Sequence, residues 1–280
     1  MIKKITKKQI KEAVKELVIK ANTQLRPDVL NALNIAKLRE KKILAKNALS
    51  AIIENARIAK KEKLAICQDT GLPVVFVELG DQVTINGNIT QVIMQAVVQG
   101  YKDGYLRASI QLDPLTRKQK PSYDACLVHV DIVKGEKLKL TLFPKGFGSE
   151  NKAKVKMFNP TSSIDDIEEF IISAVKEAGA SACPPYIIGV GIGGTQDFAC
   201  LLAKKSLLEP INKTSKDENI AVLEKRLLKK INALGIGPFG LGGQATALAV
   251  NVLGFPTHIA GLPVAVNISC HALRSARIVL

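Results

Sequence analysis

The stretch SACPPYIIGVGIGGT (residues 181–195) decides how the rest of the chain is read. Tyr186 to Val190 is an unbroken apolar run of strand length. Gly189 to Gly194 then reads as a glycine-rich turn, and Phe198-Ala199-Cys200-Leu201-Leu202 continues in a helical pattern. A buried strand feeding directly into a helix points to an α/β architecture. Gly189, Gly191 and Gly194 also satisfy GxGxxG, so two readings stand side by side. One is a pyrophosphate cradled on backbone amides at a helix N-terminus, the basis of a nucleotide-binding regulatory protein; the other is a tight strand-to-helix turn. The dinucleotide reading also wants an acidic residue about 20 positions on, at the end of a second strand. That region, Leu207-Leu208-Glu209-Pro210, has the character of a helix end and favours the turn.

Upstream, Ile164 to Ala178 carries acidic residues in its first turns, as a helix N-terminus prefers. Cys126 to Val133 and Lys137 to Phe143 alternate like strands, and Lys134-Gly135-Glu136 between them predicts a hairpin. The loop Pro144 to Asn151 follows. Ile89 to about Arg107 reads as a helix, while Leu64 to Ile66 and Pro73 to Leu79 read as short strands flanking the loop Cys67-Gln68-Asp69-Thr70-Gly71. The first 63 residues read as three amphipathic helices, the third over Lys42 to Lys60, with a turn and N-cap near Arg26-Pro27-Asp28.

Downstream, the charged stretch Pro210 to Asn219 precedes a helix over Ile220 to Leu234. The chain beyond is almost uncharged until Arg274, as a buried or interface segment would be. With no repeat and no clean linker, the expectation is one domain over 1–280. Its helical part, 1–63, packs on a mixed-sheet part, 64–280, giving a fold class of α/β (mixed α+β).

The chain has 280 residues, with 40 Lys+Arg against 25 Asp+Glu and a formal charge of +15. Lys3, Lys4, Lys7, Lys8, Lys11, Lys15 and Lys20 fall on the polar side of the first helix pattern, which suits a solvated face. Positive potential can also draw in small anions or an acidic partner subunit. Nucleic acid is not expected, because the basic residues are not interleaved with aromatics and no known module is present. No apolar run reaches the roughly 20 residues a bilayer requires. The N-terminal apolar residues are spaced for a helix face, not packed as a signal core, so a cytoplasmic location is expected.

The five cysteines, Cys67, Cys126, Cys183, Cys200 and Cys270, are odd in number and scattered, unlike a disulfide framework. Cys126 begins a strand pattern and Cys200 sits in an apolar helix pattern, so both read as small buried hydrophobes. Cys67, Cys183 and Cys270 lie at strand edges beside loop-forming residues. Three thiolates from remote segments can hold three irons of a cubane and leave the fourth iron open as a Lewis acid. Spacing alone does not distinguish that from three ordinary cysteines.

Six segments together carry a resemblance: ICQDTGLPVVFVELG (66–80), LRASIQLDP (106–114), KGFGSENK (145–152), SACPPYIIGVGIGGT (181–195), GPFGLGGQATALAVNV (237–252) and HIAGLPVAVNISCHALRSARI (258–278). In this order, across nearly the whole chain, they resemble the alpha subunit of two-subunit class I fumarate hydratases. That family also contains the alpha subunit of L(+)-tartrate dehydratase. The resemblance implies the N-terminal-domain fold of that class and a 4Fe-4S cluster held by three cysteines, with one open iron. It also implies reversible hydration of a small dicarboxylate, fumarate to (S)-malate, with tartrate dehydration as the alternative.

The family's ligand cysteines fall on Cys67, Cys183 and Cys270. Asp69 and His258 are implied as a proton-handling pair near the open iron, and Arg107 as a bidentate clamp on a substrate carboxylate. Gln68 and the amides around Gly146 and Gly148 are implied to bind the same anion. Here the chain departs from the family's KGGGSEN, having Phe147 at the middle glycine. That change keeps an amide, removes φ freedom and is expected to narrow the pocket. His271 follows a ligand directly and is expected beside it; His129 is expected to be structural. Single-chain relatives carry their general base and further substrate-binding residues in a C-terminal domain. The expectation here is therefore a separate beta subunit supplying those groups in a hetero-oligomer.

Overall fold

The computed structural model describes residues 3–280. In chain order its elements begin with β1 (Lys3–Ile5), α1 (Lys7–Thr23), α2 (Pro27–Arg39), α3 (Ile43–Glu62), β2 (Leu72–Gly80), β3 (Val83–Ile85) and α4 (Ile89–Asp103). They continue with β4 (Leu127–Val133), β5 (Leu138–Lys145), the single turn α5 (Phe147–Glu150), β6 (Lys154–Phe158), α6 (Ile164–Ala178) and β7 (Tyr186–Gly194). The last are α7 (Gln196–Ser206), α8 (Glu218–Asn232), β8 (Ala247–Thr257), β9 (Leu262–Ser269) and β10 (Ala276–Val279). Helices and mixed sheets together make the α/β class read from the sequence. The chain divides into two compact units. Unit 1 takes the segment up to Arg26, Ala56–Phe147 and Arg274–Leu280; unit 2 takes Pro27–Asn55 and Gly148–Leu273.

In unit 1, α1 starts at a capping box in which Thr6 and Gln9 satisfy each other's backbone amides. Ile10, Val14, Leu17 and Val18 then recur at helical spacing and bury one face. That face meets Val92, Ile93, Ala96 and Val97 of α4, and Val75, Val77, Leu138, Leu140 and Leu142 of the sheet. At about 1.5–3 kcal/mol per buried aliphatic side chain, this cluster is the unit's main source of stability. The sheet order is β10-β5-β2-β4.

This order corrects the expected hairpin. β4 and β5 are not neighbours; β2 lies between them, parallel to β4 and antiparallel to β5. The turn Lys134-Gly135-Glu136 instead wraps the end of β2, where the Gly135 amide donates to the Asp81 carboxylate and the Gly135 carbonyl accepts from Gln82. β2 is the more apolar strand, buried on both faces at Val74 to Val77, and the central position suits it. Leu64 to Ile66 is not a strand, and the expected α4 stops at Asp103. The three N-terminal helices form as read, preceded by β1, which pairs in parallel with β3.

Unit 2 has the sheet β6-β9-β7-β8. Ile171 and Val175 of α6 and Leu227 and Ile231 of α8 cover one face, packing on Ile188, Val190, Val252, Val266 and Ile268. α6 opens with a second capping box, Ser163 and Asp166. The other face carries α7, and here the glycine motif finds its use. Gly189 and Gly191 lie inside β7, and a Cβ on either would sit 2.2 Å from the Ala203 carbonyl oxygen or 2.1 Å from that of Ala199. Only glycine lets the α7 backbone rest on the strand. The motif is therefore a helix-packing surface within a strand that runs on to Gly194, neither the expected turn nor a phosphate loop. Among the described residues no helix is long and apolar enough to cross a membrane.

Candidate functional site

In unit 1 the loop 66–71 is tied down at Ile66, Asp69, Thr70 and Gly71. Ile66 N–H donates to the Asn22 carbonyl on α1. The buried Tyr101 hydroxyl on α4 donates to the Thr70 carbonyl at 2.8 Å. Burial pushes that phenol well above its ordinary pKa, so it stays a neutral donor. The Thr70 hydroxyl donates to the Arg107 carbonyl at 3.2 Å, fixing the backbone under Arg107. Arg107 itself lies beyond the end of α4, in a loop, with its side chain exposed.

Asp69 is anchored at three atoms. Its Oδ1 accepts from Gly71 N–H at 2.9 Å and its Oδ2 from Phe147 N–H at 2.7 Å. Its carbonyl accepts from Arg274 Nη2. A Cβ on Gly146 would lie 3.2 Å from Asp69 Oδ2, so the 145–147 segment passes close against this carboxylate. Phe147 is not among the residues with positive φ. The φ freedom of a glycine is not used there, and the amide that survives is the one that binds Asp69.

Two cations that sequence reasoning did not assign stand in the same place. Arg274 is 3% exposed, and its Nε and Nη1 are buried with no hydrogen-bond partner. Lys145 is 2% exposed, its Nζ 3.4 Å from the Gly146 carbonyl. The signal for Arg274 was its position as the first charge after a long uncharged stretch; Lys145 had none, being one lysine among many. Unit 1 thus gathers Asp69, Gly146, Arg274, Lys145 and the Arg107 backbone. Gln68 is a member of the same loop.

In unit 2 the register of β7 against β9 pairs Ile187 with Ser269, which sets Cys183 and Cys270 at one end of the sheet. Cys183 is exposed at a φ of 57°. Its carbonyl accepts from the His271 backbone N–H at 3.2 Å and from His271 Nδ1–H at 3.0 Å, so Nδ1 carries a ring proton. Phe239 N–H donates to the Pro184 carbonyl, and the Phe239 ring meets the His271 ring edge-on at 5.1 Å. Tyr186 beneath is pushed up to about 12 by burial, with the Cys183 and Cys270 thiols adding to the shift.

His258 lies elsewhere. It sits in the exposed turn between β8 and β9, with Nδ1 accepting from Ala260 N–H at 3.1 Å, so its ring proton is on Nε2. β9 has 8 residues, and His258 precedes it while Cys270 follows it. At about 3.3 Å per residue the strand alone separates them by roughly 26 Å. Within unit 2, then, His271 joins the cysteines and His258 does not. Gly148 is exposed, and the Glu150 that follows it is bound by Lys204 and Asn267. His129 stacks on Phe76.

None of the five cysteines is in a disulfide. Cys126 is buried in the core of unit 1, where burial pushes its thiol up to about 12. Cys200 corrects the sequence expectation: it faces outward on α7, and partial burial followed by the nearby Asp197 raises its thiol. Both are poor sources of thiolate, the form that binds iron. Cys67 and Cys270 are half-buried on loops and Cys183 is exposed. Among the described residues no three His, Cys, Asp or Glu side chains converge on a point as ligands of one metal ion. A cubane asks for something else, since each thiolate binds a different iron. Three loop thiols outside any disulfide are chemically fit for that.

Residues 11–279 match the family model described as Fumarate hydratase (Fumerase). The chain is 40% identical over 277 residues to a Methanocaldococcus jannaschii protein named "Putative L(+)-tartrate dehydratase subunit alpha", covering 96% of each. It is 33% identical to the Geobacillus stearothermophilus "Putative fumarate hydratase class I", covering 94% of this chain and 53% of that one. It is 27% identical to the L(+)-tartrate dehydratase subunit alpha of Escherichia coli strain UTI89, covering 95% of this chain and 89% of that one.

Proposed function

Because the chain belongs to the fumarate hydratase (Fumerase) family of hydro-lyases, we propose that it is the cluster-bearing alpha subunit of a two-subunit iron–sulfur enzyme that reversibly hydrates fumarate to (S)-malate. The observation that supports this most is the division among the cysteines. Cys67, Cys183 and Cys270 are thiols on loops and in no disulfide, whereas Cys126 is buried in the core of unit 1 and Cys200 lies on helix α7. In this reading residues 1–280 form one functional alpha-subunit domain working in the reducing cytoplasm.

A 4Fe-4S cluster held by Cys67, Cys183 and Cys270 would supply one iron without a protein ligand, a Lewis acid for the substrate hydroxyl. The chain's own residues bind and orient. The Arg107 guanidinium clamps one substrate carboxylate with two parallel N–H donors. Gln68 and the backbone amides of Gly146 and Gly148 add hydrogen bonds to that anion. Arg274 and Lys145 make the surroundings cationic, which favours a dianion. Asp69 holds or releases the proton that accompanies the leaving hydroxyl. Its two backbone donors fix the carboxylate's direction before substrate arrives, so no reorganisation is needed during reaction. His258 is assigned to proton handling with Asp69 on the resemblance alone. The beta subunit contributes the general base for the C3 proton and further substrate-binding residues.

A second reading, L(+)-tartrate dehydratase alpha subunit, is favoured by the names of the 40% and 27% identical relatives. One experiment separates the two. The chain is produced with its beta subunit, purified without oxygen, and kcat/KM is compared for (S)-malate and L-tartrate. The proposal expects malate to be preferred by at least about tenfold, a difference of about 1.4 kcal/mol in transition-state binding. Preference for tartrate would assign the second reading, and turnover of neither would overturn both.

A further inference from the structure

Helix α2 buries one face and leaves another open. Val29 and Leu33 are fully buried, whereas Asp28, Asn31, Ala32, Ile35, Ala36 and Arg39 recur at helical spacing and line a cleft of about 350 Å³. The opposite wall comes from the 211–212 loop, the end of α8 and the 244–248 segment. All of these residues belong to unit 2. From Asp28 to Arg39 the helix rises about 16 Å, so the cleft is long. Its volume falls within the roughly 300–1,000 Å³ of small-molecule sites, and nothing in the chemistry proposed above uses it.

The two ends differ. At one, the Asp28 carboxylate holds the Ile211 N–H at 3.0 Å, which brings Asn212 to the end of the cleft where Asn31 stands. At the other, the buried Glu40 accepts from the backbone amides of Lys41, Lys42 and Gln244, which brings Gln244 to the end where Arg39 stands. Those three amides occupy the Glu40 carboxylate, and the Arg39 guanidinium makes no ion pair or hydrogen bond with another described residue. Between the ends the lining is apolar, with short alanines beneath and Ile35, 40% exposed, at the side. On the far wall Asn232 Oδ1 accepts from Thr246 N–H and Ala247 N–H at 2.9 Å each, leaving its Nδ2 as a donor.

A guanidinium without a partner suits a phosphate or carboxylate. Eight residues, about 12 Å of helix, separate it from Asn31, too far for a small diacid to span and suited to a nucleotide laid from phosphate to base. A carboxamide offers a donor and an acceptor side by side, the pattern that pairs with the N6/N7 edge of adenine. The apolar middle accepts the faces of a flat ring. We propose that the α2 cleft is an effector site for a purine nucleoside monophosphate, with the phosphate at Arg39 and the base at Asn31 and Asn212. The cleft also has a route to the cysteine loops. Gln244 ends the segment 237–243, whose Phe239 N–H donates to the Pro184 carbonyl beside Cys183 and whose Phe239 ring meets His271. A ligand resting on Gln244 therefore acts on that segment.

The test uses the full chain. Isothermal titration with adenosine monophosphate should give one site per chain of micromolar affinity, and adenosine, inorganic phosphate and uridine monophosphate should each bind at least about tenfold more weakly. Arg39→Leu should weaken the nucleotide at least about tenfold and leave adenosine unchanged. Ala36→Phe, which fills the middle of the cleft, should abolish binding of both with an unchanged circular dichroism spectrum. In wild type, where no variant has to fold, the nucleotide should slow hydrogen exchange at 28–39 and 237–248. No saturable binding, equal binding of inorganic phosphate or uridine monophosphate, or undiminished binding by Arg39→Leu would overturn the site. Protection confined to 189–194 would do the same, by placing the nucleotide on the β7 glycines, and protection at 28–39 that spares 237–243 would overturn the effector role.

Discussion

The loop carrying Cys67 and Asp69 in unit 1 and the loops carrying Cys183 and Cys270 in unit 2 are held in different ways. The first hangs largely from individual side chains: Tyr101 reaches the Thr70 and Gly71 carbonyls, Thr70 the Arg107 carbonyl, and Arg274 the Asp69 carbonyl. The second pair is held by the sheet, through the β7–β9 register, the α7 backbone against Gly189 and Gly191, and backbone bonds from His271 and Phe239. Unit 1 should therefore be sensitive to single polar substitutions near its loop. Unit 2 should resist them and fail when its packing is disturbed.

The largest effect expected is on unit 2. Gly191→Val places a branched side chain where the α7 backbone lies, and should cost about 3 kcal/mol or more in a urea titration. A smaller loss would mean α7 can slide, and that the register is not what holds the cysteine loops.

Arg274→Met comes next, and it should separate stability from activity. Two of its nitrogens are buried without partners, so an apolar replacement of similar length should change unfolding free energy by less than about 1 kcal/mol. It also frees the Asp69 carbonyl, and kcat of the reconstituted complex should fall at least about tenfold. Equal losses in both measurements would make Arg274 merely structural.

Tyr101→Phe should cost about 1 kcal/mol, the net value of its bond to Thr70. In unit 2, His271→Phe keeps the aromatic contact with Phe239 and removes the ring's bond to the Cys183 carbonyl. A change of about 0.5 kcal/mol is expected, as for one partly exposed neutral hydrogen bond. A larger cost for His271→Phe than for Tyr101→Phe would reverse the comparison.

What could be read from the sequence follows the range of the forces involved. α6 was legible because its signal, Asp165 and Asp166 in the first turn, lies within the helix itself. The β4–β5 hairpin was misread because Lys134-Gly135-Glu136 is a local signal, while the choice of β2 as neighbour is decided by burial of a distant strand. The glycine motif was ambiguous for a related reason: what fills the space above Gly189 and Gly191 is a helix surface known only once α7 is placed. Around the candidate site, the CQDTG and CPPY segments were legible only through their resemblance to a known family, since spacing alone did not set their cysteines apart. Lys145 and Arg274 were not legible, because their burial depends on packing that no short window contains. His258 teaches the same lesson in reverse, since twelve residues of sequence separation from Cys270 become the length of a strand.

The most direct test of the central claim is the iron and sulfide content of the chain after anaerobic reconstitution, measured for wild type and for each of the five Cys→Ser variants. The account predicts about four irons per wild-type chain, with that content lost in Cys67→Ser, Cys183→Ser and Cys270→Ser and retained in Cys126→Ser and Cys200→Ser. A wild-type chain that takes up no iron, or five variants that behave alike, would contradict it.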